Sequence, residues 1–474
     1  MDLHIISTQV ILLACIAAPT QSPAQAATSS ALPEAPPSHL LAQVDQQPAI
    51  PLQLPSATAN STQAPEPAGP RLTLSQAEHL ALEHNPNISI ARLLQLAQGQ
   101  VVREARSGEL PTSVLNLTAV GSHDNSRITA GALNNPTVYN RAAAGLTVSQ
   151  LITDFGRTRN LVRNAESNTR AQVDTERATV DDITLAVDQA FYQSLTAQSV
   201  LKVAQQTVAA RQTTGQQIGA LTQQKLRSTL DLSLADVQVS QAQLLLLDAQ
   251  NATTSTIATL NALLGSEADQ QYQLVDEIPA NPQPPPDKPE DLVQVAFRQR
   301  PDLASLNDRW LAAKQFASAE HDLLRPTISA LATAGGAPVR ADQIQSSWYG
   351  AAGANISIPV FNGFEYTARG HEADFRAQAA SEQVRNLRDV IARDVRNAVL
   401  DAQIAFQRIA VSQQLLDQAN SALELAQARY KVGLSGIVDL TQSQLAQTQA
   451  EIEYTNARYS YQSALAAVRY QTGQ

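Results

Sequence analysis

Two apolar patterns share this chain, one of short period and one of long. In VLNLTAV (114–120), Leu115 and Leu117 alternate with Asn116 and Thr118. In GLTVSQ (145–150), Leu146 and Val148 alternate with Thr147 and Ser149, and in GANISIP (353–359) Ile356 and Ile358 alternate with Asn355 and Ser357. A period of two with one apolar side predicts strands. Elsewhere the period is helical. No proline interrupts residues 156–222 or 365–432, and helices of that length reach about 100 Å at ~1.5 Å per residue. On the second, Val395, Ala402, Ile409, Leu416, Leu423 and Tyr430 step by seven; on the helix that returns, Val438, Leu445, Ile452, Tyr459 and Ala466 do the same. Small and polar residues dilute these seams, which suits helices walling a wet tube better than a solid two-stranded coil.

The chain is written twice. HNPNISI (84–90) aligns with QRPDLAS (299–305), setting Pro86 over Pro301 and, further on, Pro111 over Pro326, 215 residues apart in both cases. GLTVSQLI (145–152) aligns with GANISIPV (353–360), Asp231 with Asp439 and Gly265 with Gly473, now 208 apart. The halves therefore differ by seven residues placed between Pro111 and Gly145. Repetition on this scale governs the fold. Each half reads as a short helix, a proline-started helix, two strands around a polar loop, and two long helices. In the first short helix Ser75 and Glu78 are expected to form a capping box. Four strands cannot close a barrel by themselves and need copies from other chains. The strands alone would also suit two hairpins of a soluble sandwich; aromatic residues at their ends (Tyr139, Trp348, Tyr349, Phe361) favour the interfacial girdles of a membrane barrel. The two strand loops, within about 121–139 and 335–347, are polar, as suits exposure.

The ends and joints complete the outline. Residues 1–26 read as an export signal, with an apolar run over 5–18 and the small-residue pattern Ala24-Gln25-Ala26; lipidation at Cys15 is the alternative. Residues 27–71 are a Pro- and Ala-rich disordered leader. A first repeat spans 72–280, NPQPPPDKPED (281–291) is a linker, and a second repeat spans 292–474. Cys15 is the one cysteine, so the mature chain is expected to have neither a disulfide framework nor a cysteine metal site. A net charge of −10 over 474 residues disfavours a nucleic-acid partner. Phosphate-binding loops, nucleophile elbows and paired acids at catalytic spacing are missing from the sequence. No enzyme, cofactor or metal is expected.

Duplicated halves of strand pair plus long helical hairpin, behind an export signal, resemble the outer-membrane efflux (TolC) family. The best local matches are ISIPVFNGF (356–364) and RYKVGLSGIVDLTQSQLAQTQAEIEYTNARYSYQSAL (429–465). The resemblance implies a mainly α fold with a β-barrel: a homotrimer whose twelve strands form one outer-membrane barrel, continued by a long periplasmic α-helical barrel. It also implies a passive exit duct in outer-membrane lipid, docked to a periplasmic adaptor and an inner-membrane pump or ABC exporter. The rival reading is an exported coiled-coil structural protein or adhesin.

By that resemblance RYKVGLSGIVDL is the turn at the periplasmic tip. Gly433 takes the left-handed backbone, Leu434 follows it, and Ser435 or Gly436 starts the returning helix. Val432, Gly433, Leu434 and Ser435 are the expected adaptor-docking tip. Asp231, Tyr430 and Asp439 are the expected gate, with a Tyr430–Asp231 hydrogen bond as its link. Two departures stand out. Lys225 takes the place of Gly433 in the first-half turn, and Ser435 stands where an arginine would tie a neighbouring carboxylate.

Overall fold

The computed structural model describes residues 69–121, 141–266, 270–279, 282–339 and 347–474. The expected signal, Cys15 and the leader up to residue 68 lie outside them, as do Tyr139 and most of both strand loops, while Arg71 at the leader's expected end is already paired in a strand. The first repeat holds β1 (Arg71–Leu72), α1 (Leu74–His84), α2 (Pro86–Ser107), β2 (Thr112–Val120), β3 (Arg141–Thr153), α3 (Arg157–Gln223) and α4 (Thr229–Leu263). After β4 (Gln273–Leu274) the second holds α5 (Pro289–Gln299), α6 (Pro301–His321), β5 (Thr327–Val339), β6 (Trp348–Ser357), α7 (Glu365–Lys431) and α8 (Ile437–Thr472). Helix α5 takes in the last residues of the expected linker.

Local chemistry sets the boundaries. Helices α2, α5 and α6 open with proline in the first turn, where a missing N–H costs nothing. The capping box of α1 is Thr73 with Gln76, not the expected Ser75 with Glu78: Thr73 Oγ1 accepts from Gln76 N at 3.3 Å and Gln76 Oε1 accepts from Thr73 N at 3.1 Å. The reason is the parallel pairing of β1 with β4, which keeps the chain extended up to Thr73. Gly265 and Gly473 end α4 and α8 with φ of 72° and 75°, pressed against the bends at His84 and Arg300. A Cβ on Gly265 would lie 2.5 Å from the His84 carbonyl oxygen. Both repeats thus close on a glycine at the same place.

The four long strands form one antiparallel sheet in the order β2-β3-β5-β6. Thr112 pairs with Ser149 in the first hairpin and Thr327 with Ser357 in the second. These are equivalent residues, so both hairpins share one register and the extra residues fall in the first loop. Strand β5 runs on to Val339, beyond the expected start of its loop. One sheet face carries Leu115, Leu117, Leu146, Val148, Trp348 and Ile356; the other carries Asn116, Thr118, Thr147, Thr333 and Asn355. On the polar face Thr147 and Thr333 lie within hydrogen-bond reach at 3.4 Å.

Tyr349 corrects the expectation of a girdle residue. It neighbours Trp348 in sequence and so points to the opposite, polar face, where its ring crosses Gly335 and Gly145. A Cβ at either glycine would come within 2.5 Å of the tyrosine. Bare backbone on two adjoining strands makes the bed in which the ring lies.

Below the sheet, Asp154-Phe155-Gly156 and Asn362-Gly363-Phe364 lead into α3 and α7. Both joints use two consecutive left-handed residues, one phenylalanine and one glycine in reversed order: Phe155 φ 55° and Gly156 φ 117°, then Gly363 φ 64° and Phe364 φ 66°. Helices α3 and α7 each have 67 residues. The seven-step seam of α7 faces inward at every position: Val395, Ala402 and Tyr430 are buried and the others half-buried. On α8, Tyr459 and Ala466 are buried, while Val438 and Leu445 near the tip are exposed. The largest cluster gathers Leu72, Ala77, Phe191, Tyr192, Leu195, Leu260, Leu264, Leu274 and Tyr459, where α1, α3, α4, α8 and the β1–β4 pair meet. Among the described residues no helix is long and apolar enough to cross a membrane.

Candidate functional site: the hairpin tips

The far ends of the two helical hairpins share one backbone. In the second, Leu434 N donates to Arg429 O at 2.8 Å and Gly433 N to Tyr430 O at 3.1 Å, with Gly433 at φ 79°. In the first, Leu226 N donates to Leu221 O and Lys225 N to Thr222 O, both at 2.9 Å. The paired bonds make this the same helix-ending motif. Lys225 takes the left-handed conformation itself, φ 57°, at a cost of about 1 kcal/mol that glycine escapes. The motif presents its apolar follower outward: Leu226 is 66 % and Leu434 71 % exposed, and Val432 is exposed beside it.

The returning helices start differently. Ser228 caps α4, accepting from Asp231 N at 3.1 Å, while Asp231 Oδ2 accepts from Ser228 N at 3.4 Å. Helix α8 starts after Gly436 with no side-chain cap, and Asp439 lies exposed in its first turn, where negative charge suits the helix dipole. The Oγ of Ser435 is buried and has no partner among the described residues.

Tyr430 is brought to the first hairpin, but not by the expected bond. Its ring is buried with Ile218, Ala235, Ala426, Ile437 and Leu440. Among the described residues its hydroxyl has no hydrogen-bond partner, because the helix cap holds the Asp231 carboxylate and Arg227 covers the ring. Arg227 Nη2 donates to the Tyr430 carbonyl at 2.8 Å, and its guanidinium lies 4.2 Å from the ring centroid. Burial pushes the Tyr430 hydroxyl above the usual phenol range; Arg227 opposes that shift and nearby Asp231 adds to it. Asp439 does not join this group.

Sequence reasoning missed Arg227, although the signal was present. At an offset of 208 it overlies Ser435. The arginine absent from the second tip therefore stands in the first and crosses to the second hairpin.

Comparison with known proteins agrees with this architecture. The family model described as "Outer membrane efflux protein" matches residues 78–266 and 292–474, the two repeats. The outer membrane protein TolC of Salmonella enteritidis is 24 % identical over 447 residues, covering 85 % of this chain and 83 % of that protein. TolC of Escherichia coli (strain K12) is 26 % identical over 431 residues, covering 82 % and 81 %. The solved CmeC outer membrane channel of Campylobacter jejuni superposes with a TM-score of 0.75 at 17 % identity, covering 84 % of this chain and 85 % of that one. These matches place the strands in an outer-membrane β-barrel and the long helices in the periplasm. The chain belongs to the outer membrane efflux protein family.

Proposed function

We propose that three copies of this chain close into one passive exit duct, docked by its hairpin tips to a periplasmic adaptor and powered by an inner-membrane pump or ABC exporter. The observation that carries this reading is a set of contacts present between the repeats and missing at their outer sides. Within the chain α6 packs on both α3 and α7, and β3 pairs with β5. Among the described residues its counterpart α2 packs extensively on α3 and not on a second long helix, leaving Ile90, Leu93, Leu94 and Leu96 between 54 % and 65 % exposed. The outer edges of β2 and β6 have no strand partner among the described residues. Leu230, Val237 and Leu244 on α4, and Leu400, Ile404, Val411 and Leu415 on α7, form further bare stripes. Further copies set by the same repeat-to-repeat step supply β6 to β2 and α7 to both α2 and α4, and closure leaves no sheet edge.

In that ring the Leu115–Trp348–Ile356 face meets outer-membrane lipid and the Thr147–Thr333 face lines the lumen. The tips converge on the axis, so Asp231 and Asp439 form two rings of three carboxylates beside Tyr430. Val432, Gly433, Leu434 and Ser435 meet the adaptor, joined by Leu226 of the other hairpin. The test is electrophoresis of unheated membrane extract with planar-bilayer recording. The reading requires a band at three times the chain mass and discrete channel conductance. A monomer that does not conduct sinks it.

A further inference from the structure

The repeat allows two side-chain pairs to be read as one position. Arg106, in the last turn of α2, donates from Nη2 to Glu166 Oε1 on α3 at 2.5 Å. The equivalent residues of the second half are His321, in the last turn of α6, and Asp374 on α7. They too meet: His321 Nε2 lies 3.0 Å from Asp374 Oδ2. The two halves share the pair and differ in its chemistry. An arginine is cationic at every physiological pH, whereas an imidazole is cationic only when protonated. From this geometry we infer that the α6–α7 seam is a proton-dependent clasp, while the matching α2–α3 seam is permanent.

The surroundings leave Asp374 as the partner that matters. The His321 ring rests on Gly370 of α7, where a Cβ would lie 2.8 Å from ring atoms, so shape fixes the ring's position. On the same turn Glu320 accepts from Arg369 Nε at 2.7 Å, and Arg369 also reaches Glu365 at 3.8 Å. Asp322 is held by Arg325 at 3.1 Å and by Asn160 at 2.8 Å. Among the described residues Asp374 is therefore the one carboxylate within ion-pair distance of His321. The other side of α6 is fastened to α3 by contacts that contain no imidazole. Asn164 donates to Ala312 O at 2.7 Å, Ser167 to Gln315 Oε1 at 2.8 Å, and Thr175 meets Ser305 at 2.9 Å. Arg170 pairs with Asp308 at 3.2 Å.

Acid therefore strengthens one flank of α6 and leaves the other unchanged. The bond is charge-assisted while the imidazole carries both ring protons and neutral when it carries one. In a closed trimer three constant and three variable clasps alternate around the tube just below the β-barrel.

Amide hydrogen exchange of residues 314–322 in the purified, full-length channel tests this, corrected for the intrinsic pH dependence of exchange. The pair is half-exposed, so its gain is modest: protection should rise about two- to fivefold from pH 8 to pH 5.5. Asp374→Asn should abolish the rise. Arg106→His should import a similar pH dependence into residues 100–107, which in the unaltered chain show none. Protection of 314–322 that does not change with pH, or that changes equally in Asp374→Asn, overturns the clasp.

Discussion

Arg227 reaches from the first helical hairpin onto Tyr430 of the second, 2.8 Å from its carbonyl and 4.2 Å from its ring centroid. A single side chain thereby makes both a charge-assisted hydrogen bond and a cation–π contact between two tips that the backbone does not join. Contacts of these kinds are worth on the order of 1–3 kcal/mol each. Arg227→Ala should free the tips, raising planar-bilayer conductance about twofold or more. Tyr430→Phe should change conductance little, because the phenol oxygen has no hydrogen-bond partner among the described residues. A large effect of Tyr430→Phe with none of Arg227→Ala would reverse this assignment.

Lys225 pays for a backbone that its counterpart Gly433 adopts freely. Lys225→Gly should therefore stabilise the first tip by about 1 kcal/mol, read as slower proteolysis of residues 221–229 in the intact channel. Gly433→Val should do the reverse, and should abolish export while trimers persist. Normal export by Gly433→Val would remove the second tip from the docking surface.

Asp231 and Asp439 stand at helix starts rather than in a bond to Tyr430. Their expected influence is on the ions that pass. Asp231→Asn with Asp439→Asn should lower the cation-to-anion permeability ratio roughly twofold or more, since confined carboxylate rings attract cations. An unchanged reversal potential would leave both residues as helix-capping groups with the constriction elsewhere.

Asp188 on α3 brings a pH dependence of its own. It is 4 % exposed, lines a cavity of about 220 Å³ with Glu78, Asp181 and Arg469, and its Oδ1 has no partner among the described residues. Burial first, and then Glu78, push its carboxyl up to about 7 against the pull of Arg469. The folded state thus binds this proton more tightly than the unfolded chain does. The stability contributed is full below about pH 4 and is lost as pH rises through about 7. Thermal unfolding midpoints should fall across that window, and Asp188→Asn should flatten the fall. A midpoint that rises from pH 5 to pH 8 in the unaltered channel, and equally in the variant, contradicts this.

The bare face of α2 supplies the test of closure. Replacing Leu93 and Leu94 by Asp removes apolar contacts worth about 1.5–3 kcal/mol each when buried and puts charge into the seam. The unheated trimer band should disappear while the circular dichroism of the monomer stays helical.

Much of this was legible from residue order. Period-two alternation placed Leu115, Leu146 and Ile356 on one sheet face, and the 208-residue offset aligned both helical hairpins residue for residue. What escaped was decided by contacts between distant segments. Ser75 and Thr73 are equally good caps by type, and the β1–β4 pairing chose Thr73. Trp348 and Tyr349 are both aromatic at a strand end, yet adjacent residues on a strand must face opposite ways. Arg227 was passed over because its partner, Tyr430, belongs to the second hairpin. The leucines of α2 and α4 carried no mark separating an inner seam from one awaiting a neighbour, because burial within a chain and burial between chains draw on the same residue types.

The tyrosine bedded on two glycines constrains how this wall can change over generations. Any side chain gained at Gly145 or Gly335 collides with Tyr349, and loss of the ring leaves two strands with unshielded backbone on the polar face. The three positions belong to different strands and lie far apart in sequence, yet they form a single unit of inheritance. A side chain added at either glycine therefore needs a smaller residue at 349 to go with it, and a change of shape at this level of the sheet involves all three positions together.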